Sequence, residues 1–285
     1  MSAPGPGFLP QALWDGALVA AASLRAARPD PGFAEGDGVF ETVRVAGGRP
    51  VWLADHAARL ARALAGPGGQ TGVGDPGYSV IGLAGRCAAV IAANGLGEGS
   101  LKIIVGREAG GWHECILARP ARYGLERQAA GFRLRSAACG TRSAARDGRK
   151  TLYRPHHDNA RAAAVAAGFD EALWVGPDDR VLEGAVTNVF IVRDDRVVTP
   201  PLAAGILPGV ARARVMRLAG ATERDLALGE LREAPEVFVT NALLGIMPVA
   251  QVNGTTFNLM ENRVTRALMA ALADRGAIAD CGPQL

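Results

Sequence analysis

The stretch Gly148-Arg-Lys-Thr-Leu-Tyr-Arg154 contains one of only two lysines in a chain of 285 residues. Among the 31 lysines and arginines, the two lysines are Lys102 and Lys150, which leaves 29 arginines. A guanidinium stays protonated in the physiological range, so arginine cannot serve as an amine nucleophile. A lysine retained against this bias indicates amine chemistry, either a Schiff base or proton transfer by a neutral amine. On composition alone, two surface lysines retained by chance explain the count equally well.

The composition of the whole chain is that of a soluble globular protein, with 49% hydrophobic and 21% charged residues. The length suits two modest domains or one large domain. The formal net charge of +3 is too small to indicate binding to nucleic acid, and the basic residues form no continuous run. A mild positive bias is compatible with a small anionic substrate.

The cysteine spacing predicts a reduced, cytoplasmic protein. The cysteines are far apart and form no Cys-x-x-Cys pair, which argues against a disulfide framework. They are Cys87, Cys115, Cys139 and Cys281. The four histidines show no metal-ligand spacing, so no metal site is predicted. The longest apolar run near the N-terminus, Ala17–Leu24, is too short to span a bilayer, and no membrane contact is expected.

The first 120 residues carry both strand and helix patterns. Residues 1–30 are rich in alanine, proline and glycine and predict little beyond a short strand at 17–19. Residues 39–45 alternate between apolar and polar, and Ala46-Gly-Gly-Arg49 follows as a hairpin turn. The further elements predicted are helices at 56–65 (N-cap Asp55) and 80–93 (N-cap Ser79), and paired strands at 101–105 and 113–118.

Residues 121–130 have no apolar period and are predicted to link two domains, at 1–120 and 131–285. After this linker, strands and helices follow one another without regular alternation, which indicates an α+β arrangement or a closed mixed sheet. Asn253-Gly254 indicates a tight hairpin. The predicted strands are 132–136, 171–175, 188–193, 196–199, 236–240 and 246–252, and the predicted helices 156–167, 208–219, 226–233 and 259–276.

Two polar side chains occupy positions from which they can reach a ligand. Arg59 lies in the first turns of its helix, where a guanidinium can fork onto a phosphate or a carboxylate. Glu183 lies at a strand end before a glycine turn, in Val181-Leu-Glu-Gly-Ala-Val-Thr-Asn188, which aims a carboxylate into a pocket. Taken singly, a solvated arginine and an exposed loop glutamate are the commoner explanations.

Two backbone segments add to this. Gly205–Arg212 places a Pro-Gly step before a helix whose first N–H groups, at Val210 and Ala211, can form an anion site. Phe238–Val249 is an apolar strand interrupted by polar residues that include Asn241, a position suited to a substrate contact. Each segment alone is also explained as a plain helix start, or as a bulge or turn.

Together, these motifs resemble the fold-type IV family of pyridoxal-phosphate enzymes. The resemblance runs from about Asp30 to Val252 and rests on Gly36-Asp-Gly-Val-Phe-Glu-Thr42, His56-Ala-Ala-Arg-Leu60, Lys150, Glu183-Gly-x-x-x-Asn188 and Gly205-Ile-Leu-Pro-Gly-Val210. The family includes branched-chain and D-amino acid aminotransferases and aminodeoxychorismate lyase. The resemblance implies an α+β fold with a smaller N-terminal α/β domain, a larger C-terminal pseudo-barrel domain that binds the cofactor, and a homodimer.

The resemblance also implies roles for individual residues. Lys150 would bind pyridoxal 5'-phosphate covalently and, once displaced by substrate, act as the base that moves a proton. Glu183 would pair with the pyridinium nitrogen. Arg59 and the backbone amides of Val210 and Ala211 would bind the phosphate. Relatives often have threonine at the position of Ala211, so a hydroxyl contact to the phosphate would be missing here.

Within the family, the chain is most similar to aminodeoxychorismate lyase. Thr240–Val249 has the Asn-Ala-Leu segment before Pro-Val that is typical of the lyase, and Leu101–Arg107 and Lys150–Arg154 also follow the lyase pattern. Tyr153 and the pair His156-His157 depart from it.

On this interpretation, the substrate is a dianion. The candidate contacts to its carboxylates are Arg154, Arg107 and Lys102, and Asn241 is a candidate hydrogen-bond donor to it. The alternatives are an aminotransferase that acts on D- or branched-chain amino acids, and a homologue that binds the cofactor without turnover. The intact set of Lys150, Glu183 and Arg59 argues against the last.

Overall fold

The computed structural model describes residues 7–27, 38–65, 78–108, 111–121, 125–139, 148–152 and 154–278. These residues form two compact units, and each contains its own β-sheet. Gly36, Asp37, Tyr153 and Cys281, which the sequence singled out, lie outside the described residues.

The first unit contains the described residues up to Ala121 together with residues 149–152 and Ile278, and the second contains residues 125–139, 148 and 154–277. The change of unit along the chain falls at the segment predicted as a linker, which contains a short helix, Leu125–Ala130. Lys150 groups with the first unit, whereas the sequence placed it in the second domain. The reason is backbone pairing with a strand of the first unit, described below.

A six-stranded antiparallel sheet forms the centre of the first unit, in the order β2-β1-β6-β5-β3-β4. Two helices, α2 and α3, cover one of its faces with Leu60, Cys87 and Val90. Each buried leucine of this kind contributes about 2 kcal/mol. The elements are β1 Gln11–Trp14, β2 Ala17–Ala20, α1 Ala21–Ala27, β3 Gly38–Ala46, β4 Arg49–Pro50, α2 Leu53–Ala65, α3 Leu83–Ala93, β5 Gly99–Glu108 and β6 Gly111–Pro120.

Most elements of this unit agree with the sequence pattern, including the glycine hairpin between β3 and β4 and the pairing of β5 with β6. Three predictions were wrong. Helix α2 begins at Leu53, so Asp55 lies inside its first turn and is not its N-cap. The first thirty residues were expected to hold one short strand, but residues 11–20 form a β-hairpin that pairs with β6. The second helix begins at Leu83, because Ser79 accepts the N–H of Ile81 in a separate turn instead of capping the helix.

The second unit is built on a nine-stranded mixed sheet, in the order β12-β11-β10-β13-β14-β7-β8-β9, with β15 paired to β14. It confirms the predicted α+β class with an irregular order of elements. The elements are α4 Leu125–Ala130, β7 Phe132–Ala138, α5 Pro155–Ala166, β8 Glu171–Val175, β9 Val181–Gly184, β10 Asn188–Arg193, β11 Arg196–Thr199, α6 Val210–Ala219, β12 Thr222–Glu223, α7 Leu228–Glu233, β13 Glu236–Asn241, β14 Gly245–Val252, β15 Thr255–Thr256 and α8 Arg263–Ile278.

Its core is a run of apolar side chains from nearly every strand, including Leu134, Ile191, Val239 and Met247. Parallel pairing occurs where β7 lies between β8 and β14 and where β11 meets β12. Among the described residues, no helix combines the length and the apolar character needed to cross a membrane.

A buried carboxylate fixes the start of α8. Glu236 is almost fully buried, and its two oxygens accept the N–H groups of Val264 at 3.0 Å and Thr265 at 2.7 Å. The first N–H groups of a helix have no partner within the helix, so an acceptor of this kind satisfies donors that would otherwise be buried without one.

We expect Glu236→Gln to lower the free energy of unfolding by about 1–3 kcal/mol, because an amide cannot accept both N–H groups. Urea unfolding followed by far-UV circular dichroism measures the change. Glu261→Gln, in an exposed turn before α8, is the control and should change it by less than about 0.5 kcal/mol. Equal urea midpoints of unfolding for the two variants would contradict the role of Glu236 as the acceptor at the start of α8.

Candidate active site

Successive side chains of strand β3 point to opposite faces of the sheet. Phe40 faces the side of the sheet where Ile104 and Leu117 pack, while Glu41 points to the opposite side, toward α2. Adjacent residues of the Gly-Val-Phe-Glu-Thr motif therefore contact different parts of the first unit.

Lys150 is held against β3 by the backbone. The N–H of Phe40 donates to the carbonyl of Lys150 at 2.9 Å, and the N–H of Leu152 donates to the carbonyl of Gly38 at 2.9 Å. A Cβ at Gly38 would come within 2.6 Å of Leu152 Cδ1 and 3.0 Å of the Val105 carbonyl oxygen. The glycine at this position is therefore required by close packing of the lysine segment on the strand.

Both lysines of the chain lie over the same aromatic ring. The Nζ atom of Lys150 is 4.5 Å from the centroid of the Phe40 ring, and that of Lys102 is 5.2 Å from it. A cation over a ring face is stabilised by about 0.5–1 kcal/mol. Lys150 is only partly exposed, so its amine is placed on a defined surface instead of extending into bulk solvent.

Arg59, predicted to bind a phosphate, forms a bidentate ion pair with Glu41. Its Nε donates to Oε1 at 2.7 Å and its Nη2 donates to Oε2 at 2.6 Å, while Nδ1 of His56 lies 2.7 Å from Oε2. Burial alone raises the pKa of Glu41, but the hydrogen bonds and charges of Arg59 and His56 outweigh it and lower the pKa to about 2. The sequence analysis missed Glu41 as the partner of Arg59. The apolar/polar alternation of the strand shows on which face of the sheet Glu41 lies, but not which side chain it contacts.

In the second unit, Glu183 is a buried carboxylate held by the segment that leads to α6. Its Oε2 accepts the N–H of Leu207 at 3.0 Å and the side-chain amide of Asn188 at 3.3 Å. Only 4% of its surface is exposed, so its carboxylate is screened from water.

Asn188 ties Glu183 to the start of α6, and the sequence did not single it out. Its Nδ2 also donates to the Leu207 carbonyl at 2.9 Å. A Cβ at Gly209 would come within 2.1 Å of Asn188 Oδ1, although the φ of −63° at Gly209 would accept any residue. The glycine is needed to admit this amide. The spacing of the Glu-Gly-x-x-x-Asn motif was the available signal.

Helix α6 begins at Val210, with no side-chain cap on its N-terminus. Val210 and Ala211 are both buried, so an anion bound by their N–H groups would be sheltered from water. A buried acid and a helix N-terminus, two of the groups that the predicted cofactor needs, therefore both occur in the second unit.

The predicted substrate contacts lie in different surroundings. Arg154 directs Nη2 toward the Ala185 carbonyl at 3.5 Å and Asp158 at 3.4 Å. Asn241 donates to the Val186 carbonyl at 3.2 Å, and its Oδ1 accepts the N–H groups of the turn that follows at 3.0 and 2.8 Å. Arg107 lies on β5 opposite Trp112 in the strand register, and its side chain is outside the described part.

Comparison with known proteins places this arrangement in a family. Residues 38–252 match the family described as amino-transferase class IV. The chain belongs to the class IV aminotransferase family. Enzymes of this family use pyridoxal 5'-phosphate, and the chain is a pyridoxal-phosphate-dependent enzyme of fold type IV.

Three relatives show the range of activities within the family. A crystal structure of 4-amino-4-deoxychorismate lyase from Pseudomonas aeruginosa is 31% identical, with a TM-score of 0.74, and covers 92% of this chain and 98% of that one. Branched-chain aminotransferase from Thermoproteus uzoniensis is 24% identical, with a TM-score of 0.79, covering 94% and 96%. D-alanine aminotransferase from Bacillus licheniformis is 25% identical over 86% and 89%.

Several matches to other curated proteins are shorter. A probable branched-chain-amino-acid aminotransferase from Thermotoga maritima is 36% identical over 30% of this chain, and the chain spans only 34% of that protein.

The pKa of Glu41 leads to a prediction about pH. A carboxylate whose pKa falls on folding stabilises the native state above its unfolded pKa, near 4.5, and this contribution disappears as the pH falls toward about 2. Glu41→Gln should therefore cost on the order of 3 kcal/mol at pH 7, with a gap to wild type that narrows between pH 5.5 and 3.5. Urea unfolding monitored by tryptophan fluorescence measures it.

The control is Glu98→Gln, which removes an exposed carboxylate 4.0 Å from Arg44. It should cost less than about 1 kcal/mol. A gap between wild type and Glu41→Gln that stays constant across the pH range would refute the buried ion pair.

Proposed function

We propose that the chain is a 4-amino-4-deoxychorismate lyase that releases p-aminobenzoate and pyruvate, an activity of folate biosynthesis. The observation that carries the proposal is the 31% identity to the Pseudomonas aeruginosa lyase over 92% of this chain and 98% of that one. Two aminotransferases that align over most of the chain are 24% and 25% identical to it. The Asn-Ala-Leu segment that precedes Pro248 supports the same choice.

We assign the cofactor contacts to the residues that the family motifs supply. Lys150 supplies the amine for its aldehyde, Glu183 the acid for its ring nitrogen, and the N–H groups of Val210 and Ala211 the donors for its phosphate. Arg59 contributes positive charge to the phosphate while Glu41 holds its guanidinium in place. When bound, the cofactor withdraws electrons from the carbon that carries the substrate amine.

The proton steps belong to Lys150. Its amine would take the proton from the amine-bearing carbon of the substrate. The bond between the ring and the enolpyruvyl oxygen would then break, and the enolpyruvate that leaves would take up a proton to become pyruvate. The remaining ring is aromatic, which drives the reaction toward p-aminobenzoate. The ring of Phe40 would hold the free amine in place during the proton transfer, since Nζ of Lys150 lies over its face.

The two carboxylates of the substrate need cations. Lys102, over the same ring as Lys150, and Arg154, beside the loop that follows Glu183, are the described candidates, and Arg107 is a third. Asn241 would contribute through the turn that it stabilises.

A second candidate function is an aminotransferase that acts on D- or branched-chain amino acids. The likeness to D-alanine aminotransferase over 86% of the chain favours it. The cofactor residues would be shared, so only the substrate distinguishes the two activities.

We expect Lys150→Ala to lose the covalent link to the cofactor, because the family motif assigns that link to Lys150. Purified wild-type protein reduced with borohydride should retain the cofactor after denaturation, as seen by absorbance and by peptide mass spectrometry. Lys102→Gln removes the chain's other lysine and should keep the adduct. An adduct that persists in Lys150→Ala would assign the chemistry to another residue.

The lyase should release pyruvate and p-aminobenzoate in equal amounts from 4-amino-4-deoxychorismate, measured by coupled lactate dehydrogenase and by fluorescence. The same preparation is assayed with D-alanine and with L-leucine as amino donors to 2-oxoglutarate. Amine transfer without pyruvate release from aminodeoxychorismate would assign the chain to the aminotransferases instead.

We also propose a cytoplasmic homodimer. Burial raises the pKa of Cys87 and of Cys115 to about 12, and Cys139 is likewise unbridged, which suits a reducing compartment. Sedimentation equilibrium of the holoenzyme tests the dimer.

A further inference from the structure

The loop Gly184–Thr187 sets the distance between the two polar residues that flank it. It joins Glu183, on β9, to Asn188, on β10, and these two side chains are hydrogen-bonded to each other. Inside the loop, the N–H of Gly184 donates to the Thr187 carbonyl at 2.8 Å. A shift of the loop would therefore change where the Glu183 carboxylate points.

A second buried glutamate holds the middle of this loop. Glu171, on the neighbouring strand β8, has no exposed surface. Its Oε2 accepts the N–H of Val186 at 3.3 Å, and its Oε1 accepts the N–H of Ala172 at 2.9 Å. The carbonyl of Ala172 in turn accepts the N–H of Ala185 at 2.9 Å. Strand β8 is therefore hydrogen-bonded to two consecutive residues of the loop.

The packing around this contact is tight. A Cβ at Gly184 would come within 2.1 Å of Thr187 Oγ1 and 3.2 Å of Glu171 Cγ. Helix α5 covers the same place with small side chains, where Ala164 packs with Ala185. Because the contacts between Glu171 and the loop are close, we expect a change at Glu171 to move the loop.

Placing a carboxyl group here has a cost. Burial raises the pKa of Glu171 to about 7, although the charge of Arg161 and the backbone N–H groups lower it. A site that served packing alone would be filled at lower cost by an apolar side chain. The carboxylate offers an acceptor on each of two oxygens, which an amide of the same shape does not.

We propose that Glu171 is a positioning residue for Glu183, which holds the Gly184–Thr187 loop so that the Glu183 carboxylate meets the ring nitrogen of the cofactor. The proposal rests on the proposed function in one respect, that Glu183 pairs with this nitrogen. Glu171 itself is buried beneath the loop and acts through Val186.

The experiment compares Glu171→Gln with Glu236→Gln in the holoenzyme at pH 8.5, where Glu171 is ionised. Both variants remove a buried carboxylate that accepts two backbone N–H groups in the second unit. Glu236 begins β13 and lies four residues from Thr240, the partner of Asn188, about 13 Å along the strand. It is therefore a matched control for a purely structural loss.

The readout is the ¹⁵N chemical shift of cofactor labelled at its ring nitrogen, which reports whether that nitrogen is protonated. Glu171→Gln should move the shift part of the way that Glu183→Gln moves it, whereas Glu236→Gln should leave it at the wild-type value. The cofactor should also dissociate about tenfold faster from Glu171→Gln, the loss expected for one buried hydrogen bond.

A wild-type shift in Glu171→Gln, together with a displaced shift in Glu183→Gln, would overturn this proposal and leave the proposed function standing. A shift that Glu183→Gln does not change would refute the proposed pairing and this proposal with it. If Glu171→Gln does not fold, Glu171→Asp takes its place, because it keeps the charge but shortens the reach to Val186. An unchanged shift there counts against the proposal.

Discussion

Two backbone hydrogen bonds between β3 and the segment around Lys150 are the contacts on which the position of Lys150 depends. They join residues more than 100 positions apart, from Phe40 to Lys150 and from Leu152 to Gly38. They fix the lysine backbone to a strand inside a six-stranded sheet, which is among the least mobile parts of such a unit. The amine at the end of that side chain then needs only local contacts, and the Phe40 ring provides one.

The second unit uses buried carboxylates in the same way, to hold backbone rather than to bind solvent. Glu183 accepts the N–H of Leu207, Glu171 that of Val186, and Glu236 those at the start of α8. Each is almost fully buried, so leaving its N–H partner without an acceptor would be costly. In our proposal, Glu183 contacts the cofactor and Glu171 contacts only the backbone of the loop, although both are buried carboxylates that accept backbone N–H groups.

The sequence predicted much of this, for reasons that can be traced. Strands such as β8, β10 and β11 were predicted with correct bounds because short apolar runs between turn residues leave few alternatives. The roles proposed for Lys150 and Glu183 came from amine scarcity and from motif order. The pairing of Arg59 with Glu41, the bonds of Asn188 and the placing of Lys150 in the first unit did not follow, since each depends on a long-range contact that periodicity does not encode.

The two lysines over one ring have a practical consequence. In the cofactor-free protein, an amine-selective reagent such as an N-hydroxysuccinimide ester can attack side chains only at the Phe40 surface, besides the α-amine of the first residue. Resins and crosslinkers that rely on lysine would therefore attach the protein through that surface, whereas carboxyl chemistry would avoid it. Conversely, growth on isotopically labelled lysine would give a spectrum of only two side-chain amines, both of them reporters for one patch of the molecule.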